Sequence, residues 1–320
     1  MTAANNQDGM PREVMVFHSQ FDNHGPWKAA MQAAAPDIEL VPADQVRDPA
    51  AVRYALVWNP PAGFFARYPE LRLVVNLGAG VDALVARDDL PEVPITRLSD
   101  PDMARMMAGY VLFAVLRYAR DIPVFERAQR RGEWHYVHPR SPEDITVGVL
   151  GLGELGSRAA TELARQGLDV RGWSRTPKDL PGVRCSAGME ALPALLAECE
   201  ILVAMLPLTP ETRGLLNAER LAMLPRGARF INVSRGDVVD QQALTQALAG
   251  GALGEATLDV FEREPLPADS PLWRMDNVLI TPHLASVALP RSAAAQIAAN
   301  IARIRAGETV LHRVDPARGY

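Results

Sequence analysis

Three short segments, each following an apolar run, carry side chains suited to carbonyl and proton chemistry: Asn232-Val-Ser-Arg235-Gly-Asp237, Leu258-Asp259-Val-Phe-Glu262-Arg-Glu264-Pro-Leu266 and Ile280-Thr-Pro-His283-Leu284. If the runs are strands of a parallel sheet, the segments stand at its carboxyl edge, where α/β sheets place their ligands. An arginine, a carboxylate and a histidine gathered there suit the reduction of a 2-keto acid. Such a substrate has a carboxylate to hold and a carbonyl to polarise, and the planar donor fork of an arginine can do both. A histidine can deliver a proton to the carbonyl oxygen as hydride reaches the carbon. A nearby carboxylate stabilises the imidazolium and fixes the ring. Taken singly, each residue has a bland reading, since an arginine or glutamate of an α/β protein is more often half of a surface ion pair than a catalyst. The ordered combination carries the argument.

A second signal lies upstream. The run Ile145–Leu150 ends in Gly151-Leu152-Gly153-Glu154-Leu155-Gly156, and a helical pattern opens from it. A bare G-x-G-x-x-G is weak, but between a strand and a helix it is the dinucleotide fingerprint. Gly151 then makes the tight turn, Gly153 lets backbone approach a pyrophosphate, and Gly156 lets the helix pack closely. The free N–H groups of residues 151–156 and the positive end of the helix dipole favour phosphate there. The next strand ends in Ser174-Arg175-Thr176-Pro-Lys178. NAD-preferring sites usually carry an acid about 20 residues after the glycines, bonding the ribose 2′-hydroxyl. Ser174 stands there instead, followed by two cations that would bind a 2′-phosphate. The expectation is NADP(H), with NAD(H) as the weaker alternative. The bland reading makes Arg175 and Lys178 solvated loop charges.

These residues need a scaffold. Apolar runs at Val14–His18, Ile38–Val41, Tyr54–Trp58 and Leu71–Leu77, with a helical stretch at Pro26–Ala35, read as buried parallel strands with crossover helices. After Asp100 the pattern changes to a long apolar helix, Met103–Arg120, started by Asp100-Pro101-Asp102. A polar stretch, Arg127–Asp144, leads into a second series of six strands: Ile145–Leu150, Asp169–Trp173, Ile201–Leu206, Arg229–Val233, Glu255–Val260 and Val278–Thr281. A last helix, Ser292–Ala306, follows. The predicted fold is α/β: two doubly wound domains, a Rossmann dinucleotide-binding domain (101–291) inserted into a discontinuous, flavodoxin-like substrate domain (1–100 and 292–320).

Composition narrows the partners. The chain has 320 residues, with 33 basic and 38 acidic side chains and a net charge of −5, which argues against a nucleic-acid-binding face. Two cysteines, Cys185 and Cys199, make no disulfide framework. No apolar run is long enough to span a bilayer, and Met1–Glu13 has no apolar core of a secretory signal. A cytoplasmic enzyme without membrane association is expected. Of the six histidines, His18, His24, His135, His138 and His312 read as structural. His135 and His138 lack a supporting ligand cluster, so no metal is expected. Trp134 reads as a packing or interface residue.

Four motifs in this order, GLGELG at 151–156, NVSRGD at 232–237, DVFEREPLP at 259–267 and TPH at 281–283, resemble the D-isomer-specific 2-hydroxyacid dehydrogenase family. Asn76-Leu-Gly78-Ala79-Gly80-Val-Asp82 resembles that family's substrate-carboxylate loop, so the likeness covers nearly the whole chain. Trp58-Asn-Pro-Pro61, the stretch 172–176, the stretch 262–267 and Asp315–Tyr320 resemble its glyoxylate/hydroxypyruvate reductase A branch. The resemblance implies that Arg235 binds substrate and polarises its carbonyl, that His283 is the acid–base residue, and that Glu264 is its carboxylate partner, with Glu262 as the neighbouring alternative. It implies that Gly78, Ala79 and Gly80 hold the substrate carboxylate and that Trp58 and Arg291 line the pocket. Leu206, Pro207, Val233, Ser234 and Asp259 would lie along the nicotinamide half of the cofactor. The implied reaction is NADPH-dependent reduction of glyoxylate to glycolate or hydroxypyruvate to D-glycerate. A larger keto acid, or a non-catalytic NAD(P)-sensing role, is the alternative. A homodimer through the Rossmann domains is implied; the apolar face of Met103–Arg120 is either domain core or the dimer seam, and the resemblance favours the seam. Gly109-Tyr110 departs from the family, which commonly has glutamate at the first position, and puts packing or dimer contacts there in doubt.

Overall fold

The computed structural model describes residues 12–316, so of the Asp315–Tyr320 motif only Asp315 and Pro316 lie inside the described residues. The chain divides into two compact units. One takes the chain up to Asp102 and again from Ala288 onward; the other is Met103–Val287. Arg291 therefore belongs to the first unit.

The first unit holds β1 (Glu13–His18), α1 (His24–Ala34), β2 (Ile38–Pro42), β3 (Val52–Val57), β4 (Leu73–Asn76), the short α2 (Asp82–Val85) and β5 (Ile95–Arg97). The sheet is parallel throughout, in the order β2-β1-β3-β4-β5. This is the flavodoxin-like order, and its winding reverses between β1 and β3. All four residues of β4 are buried, as a central strand covered on both faces requires. The three-residue β5 is too short to leave an apolar run in the sequence. It is a short edge whose main chain also pairs with the C-terminal tail, through Arg97 N–H to the His312 carbonyl at 3.1 Å and Val314 N–H to the Ile95 carbonyl at 2.8 Å. The helix Pro290–Ala306 lies against α1 and completes this unit.

The second unit runs α3 (Pro101–Ala119, nearly all within it), α4 (Ile122–Arg130), β6 (Thr146–Leu150), α5 (Glu154–Arg165), β7 (Asp169–Ser174), β8 (Val183–Ala187), α6 (Leu192–Glu198), β9 (Ile201–Ala204), α7 (Ala218–Leu221), β10 (Ala228–Asn232), α8 (Gln241–Ala249), β11 (Leu253–Leu258) and β12 (Val278–Ile280). Its seven-stranded parallel sheet has the order β12-β11-β10-β9-β6-β7-β8. This is the Rossmann order with one strand added beyond it, and the winding reverses between β6 and β9. The six-strand expectation is corrected by β8, whose Val-Arg-Cys-Ser-Ala carries one fully buried residue at the sheet edge and so no apolar signature. The polar stretch from Arg127 is helical as far as Arg130.

The Asp100 carboxylate accepts the Asp102 N–H at 2.8 Å and caps the start of α3. Met107, Val111, Ala114, Val115 and Tyr118 of α3 are buried against Val147, Val149, Leu163 and Val170. Of the two readings of that apolar face, these buried residues are core of the unit. A Cβ added at Gly109 would meet nothing within 4 Å, so glycine is not demanded there by packing.

Candidate active site

The glycine turn follows β6 at the sheet's reversal point. Gly151 has φ +101°, and a Cβ there would come within 2.6 Å of the Met205 carbonyl oxygen. A Cβ on Gly156 would lie 1.8 Å from the Gly151 carbonyl oxygen, so neither position admits a side chain. A Cβ on Gly153 would meet nothing within 4 Å. Glycine at 153 therefore leaves open space beside the start of α5, and no side chain caps that helix. Open space beside the N-terminal end of a helix dipole is what a pyrophosphate requires, so these residues fit a dinucleotide. The Leu152 side chain is buried and packs over Gly172, which leaves only its backbone for a ligand. Glu154 is exposed and Leu155 half-buried.

At the end of β7, Ser174 is buried and its hydroxyl donates to the Thr176 carbonyl at 2.7 Å. In this arrangement its one proton shapes the turn. Arg175, Thr176 and Lys178 are exposed. Arg175 also faces Glu211. A hydrogen bond from Thr209 is the chief cause holding the Glu211 carboxyl below its usual range, and the Arg175 charge adds to it. Sequence reasoning missed Glu211. Leu206, Val233 and Ser234 are buried and Pro207 is exposed.

Arg235 is presented by a small hydrogen-bonded turn. The fully buried Asn232 accepts both the Ser234 N–H (3.1 Å) and the Ser234 hydroxyl (2.7 Å), and its amide donates to the Arg235 carbonyl (3.0 Å). An asparagine at a strand end before Ser and Gly is a turn signal legible in sequence. A Cβ on Gly236 would lie 1.8 Å from the Phe261 carbonyl carbon. Glycine there lets the loop after β10 touch the loop after β11, which carries Glu264.

Glu264 meets His283. Its Oε2 lies 2.7 Å from His283 Nδ1, and its Oε1 accepts the Phe261 N–H at 2.9 Å. Burial pushes the Glu264 carboxyl up. The His283 hydrogen bond, the Phe261 amide and the charges of His283 and Arg235 outweigh that and hold it below the ordinary value of 4.5. Glu262, the alternative, is exposed and accepts the Gln241 N–H at 3.0 Å, just inside α8. The structure thus pairs His283 with Glu264 and not with Glu262. An ionised carboxylate only accepts, so Nδ1–H donates to Glu264 and Nε2 is the ring nitrogen turned away from that pair.

The depressed Glu264 value sets a sign for stability. A carboxyl whose folded pKa is lowered contributes stability that is fully present above its unfolded value and is lost as pH falls through the folded one. The side chain is 35% exposed, so solvent screens the effect. Acidification below about pH 4.5 is expected to lower the thermal midpoint of the wild type more than that of Glu264→Gln. Equal slopes of midpoint against pH would contradict the pairing.

Asp259 is 1% exposed, and both its carboxylate oxygens are engaged by the loop after β12. In the first unit, the buried Asn76 amide donates to the Gly78 carbonyl (3.0 Å) and the Gly80 carbonyl (2.9 Å), which fixes the 77–80 loop with Ala79 and Gly80 half-buried. A Cβ on Gly78 would lie 2.4 Å from Trp58 Cζ3, so glycine lets the indole lie on that loop. Arg291 lines a groove with Pro26, Ala30, Ala33, Leu289 and Pro290. Among the described residues, no group of three or more His, Cys, Asp or Glu could hold a metal ion, and no helix is long and apolar enough to cross a membrane.

A family model described as "D-isomer specific 2-hydroxyacid dehydrogenase, NAD binding domain" matches residues 112–285. The glyoxylate/hydroxypyruvate reductase A of Serratia proteamaculans is 42% identical over 312 residues, covering 96% of this chain and 99% of that one. A crystal structure of a D-isomer specific 2-hydroxyacid dehydrogenase from Xanthobacter autotrophicus Py2, in complex with NADPH and MES, is 67% identical with a TM-score of 0.94, covering 97% of this chain and 100% of that one. An NADPH-dependent glyoxylate/hydroxypyruvate reductase from Sinorhizobium meliloti, in complex with NADP and sulfate, is 36% identical with a TM-score of 0.90, covering 96% and 99%.

Proposed function

The chain belongs to the D-isomer specific 2-hydroxyacid dehydrogenase family, and from that premise we propose that it is an NADPH-dependent reductase of a small 2-keto acid, converting glyoxylate to glycolate and hydroxypyruvate to D-glycerate. The observation that carries this reading is the 2.7 Å contact of Glu264 with His283 within the electrostatic reach of Arg235.

NADPH, held by the backbone of residues 151–156 and the exposed Arg175, Thr176 and Lys178, supplies hydride to the carbonyl carbon. Buried Leu206, Val233 and Ser234, with Pro207 and Asp259, belong to the nicotinamide end. Arg235 binds the keto acid and draws electron density toward the carbonyl oxygen. His283 delivers the proton from Nε2 to that oxygen as the new C–H bond forms. Glu264 offsets the imidazolium charge and keeps the ring turned. The Ala79 and Gly80 N–H groups, in the loop held by Asn76, hold the substrate carboxylate, and Trp58 walls that loop. The reading includes a homodimer through the 103–287 unit and a cytoplasmic location.

The test is loss of reduced-nicotinamide absorbance with glyoxylate, hydroxypyruvate, pyruvate and phenylpyruvate, each with NADPH and with NADH. Rapid NADPH consumption with either of the first two supports the proposal. Turnover of phenylpyruvate alone would move it to a larger keto acid, and NADPH binding without turnover would move it to a sensing role. Arg175→Ala is expected to raise the KM for NADPH about tenfold and leave that for NADH nearly unchanged, since only the former has a phosphate to lose. An equal rise for both would remove Arg175 from 2′-phosphate recognition.

A further inference from the structure

His283 has a left-handed backbone, with φ +55°. For a residue with a side chain this conformation costs about 1–2 kcal/mol and persists only where neighbours over-determine it. Asp259 supplies most of that determination, beside the Thr281 carbonyl, which also accepts the His283 N–H at 3.1 Å. The Asp259 carbonyl accepts the His283 N–H at 2.8 Å. Asp259 Oδ1 accepts the Leu284 N–H at 2.9 Å and the Thr281 hydroxyl at 2.6 Å, and Oδ2 accepts the Ala285 N–H at 2.9 Å. Residues on both sides of His283 are thus pinned to a single buried carboxylate.

The chain of hydrogen bonds extends one residue further. Tyr110 of α3 places its hydroxyl 2.6 Å from Thr281 Oγ1. The direction follows from proton counting. A threonine hydroxyl has one proton, and Thr281 gives it to Asp259, which has none to give. Tyr110 must therefore donate to Thr281. Burial pushes the Tyr110 phenol up, so it keeps the proton it donates. Its ring packs against the cluster that buries Val111, Val115 and Val147, so the outer end of the chain is anchored in the core of the unit.

We propose that Tyr110 is a positioning residue for His283: acting through Thr281 and Asp259, its hydroxyl holds the left-handed turn that carries the imidazole. Without it, Thr281 Oγ1 has one partner instead of two and its rotamer is released. Asp259 Oδ1 then loses a fixed donor, and the turn gains freedom where Nε2 must meet the substrate. The consequence for turnover rests on His283 being the proton donor; the consequence for the ring does not.

A second pair from the same helix supplies the control. Tyr118 meets Thr257 with hydroxyls 2.6 Å apart, fully buried. This pair has the same chemistry but leads to the interior of β11. Tyr110→Phe is expected to lower kcat about five- to tenfold with KM for the keto acid within twofold, as small misplacements of reacting groups do. Thr281→Val is expected to lower kcat by a similar factor, and the double variant by no more than the larger single loss, because both cut one chain. Tyr118→Phe is expected to lower the thermal midpoint with kcat unchanged. In parallel, the His283 ring signal in a histidine-labelled NMR spectrum, identified by its disappearance in His283→Ala, is expected to broaden or split in Tyr110→Phe and stay as in the wild type in Tyr118→Phe. A wild-type kcat in Tyr110→Phe, losses that multiply in the double variant, or an unchanged ring signal would each overturn the proposal. If the wild type reduces none of the keto acids, the functional reading fails while the ring signal still decides this one.

Discussion

Replacing His283 with alanine is expected to lower kcat for keto-acid reduction about 10³-fold, within the range that a positioned general acid contributes, while NADPH affinity stays within twofold. The asymmetry follows from placement. His283 is held by the loop after β12, with Nδ1 committed to Glu264 at 2.7 Å, whereas the residues that fit the dinucleotide phosphates surround Gly151–Gly156 at the sheet's reversal point. Alanine removes the proposed proton donor and leaves that cradle intact. Steady-state kinetics with a parallel fluorescence titration of NADPH separates the two quantities. Wild-type turnover would remove His283 from the chemistry. A parallel loss of cofactor binding would mean that the variant has disturbed the turn itself.

Arg235→Ala is expected to raise KM and lower kcat together, for a loss of about 10²–10³ in kcat/KM, the size of losing a charged hydrogen-bonding partner. The reason is that this one side chain serves both states. In the proposed mechanism it holds the bound keto acid and stabilises the charge that grows on the oxygen in the transition state. Arg235→Lys is expected to recover only part of the loss, because a point charge does not reproduce two fixed donors in a plane. A second effect accompanies the first. The Arg235 charge is one of the influences holding the Glu264 carboxyl low, so Arg235 and His283 are coupled through that carboxylate as well. Arg235→Ala and His283→Ala are therefore expected to combine to less than the product of their separate losses. Full multiplication in the double variant would show that the residues act independently.

Much of the scaffold was legible because parallel strands covered on both faces must be apolar nearly throughout. The runs at 14–18, 54–58, 145–150 and 201–206 announced themselves, and the glycine turn marked where one of them met a helix. The strands that escaped, β5 and β8, are edges. Ile-Thr-Arg and Val-Arg-Cys-Ser-Ala bury too little to leave a periodic pattern, and main-chain pairing with a neighbour or with the tail defines them instead. Ser174 shows the same limit at a single residue: its type and spacing say nothing of the Thr176 carbonyl, which the fold places 2.7 Å from its hydroxyl. Arg291 shows it again, since a lone arginine near a helix start carries no information about which groove it lines.

What the sequence by itself determined is the alternation that makes two parallel sheets, the glycine turn that makes a dinucleotide cradle, and the order of motifs that identified the family and put Arg235, Glu264 and His283 at strand ends. These are local facts, carried by residue type and by spacing along the chain. The tertiary structure decided which acid faces the histidine. Glu262 and Glu264 stand two apart, and only the packing of the loops after β10 and β11, allowed by Gly236, turns one to His283 and the other to α8. It also decided that Tyr110, Thr281 and Asp259, far apart along the chain, form one line of hydrogen bonds ending at the turn of His283. Hydrogen bonds between distant segments depend on tenths of an ångström set by the whole core, and no pattern along a single strand or helix records them.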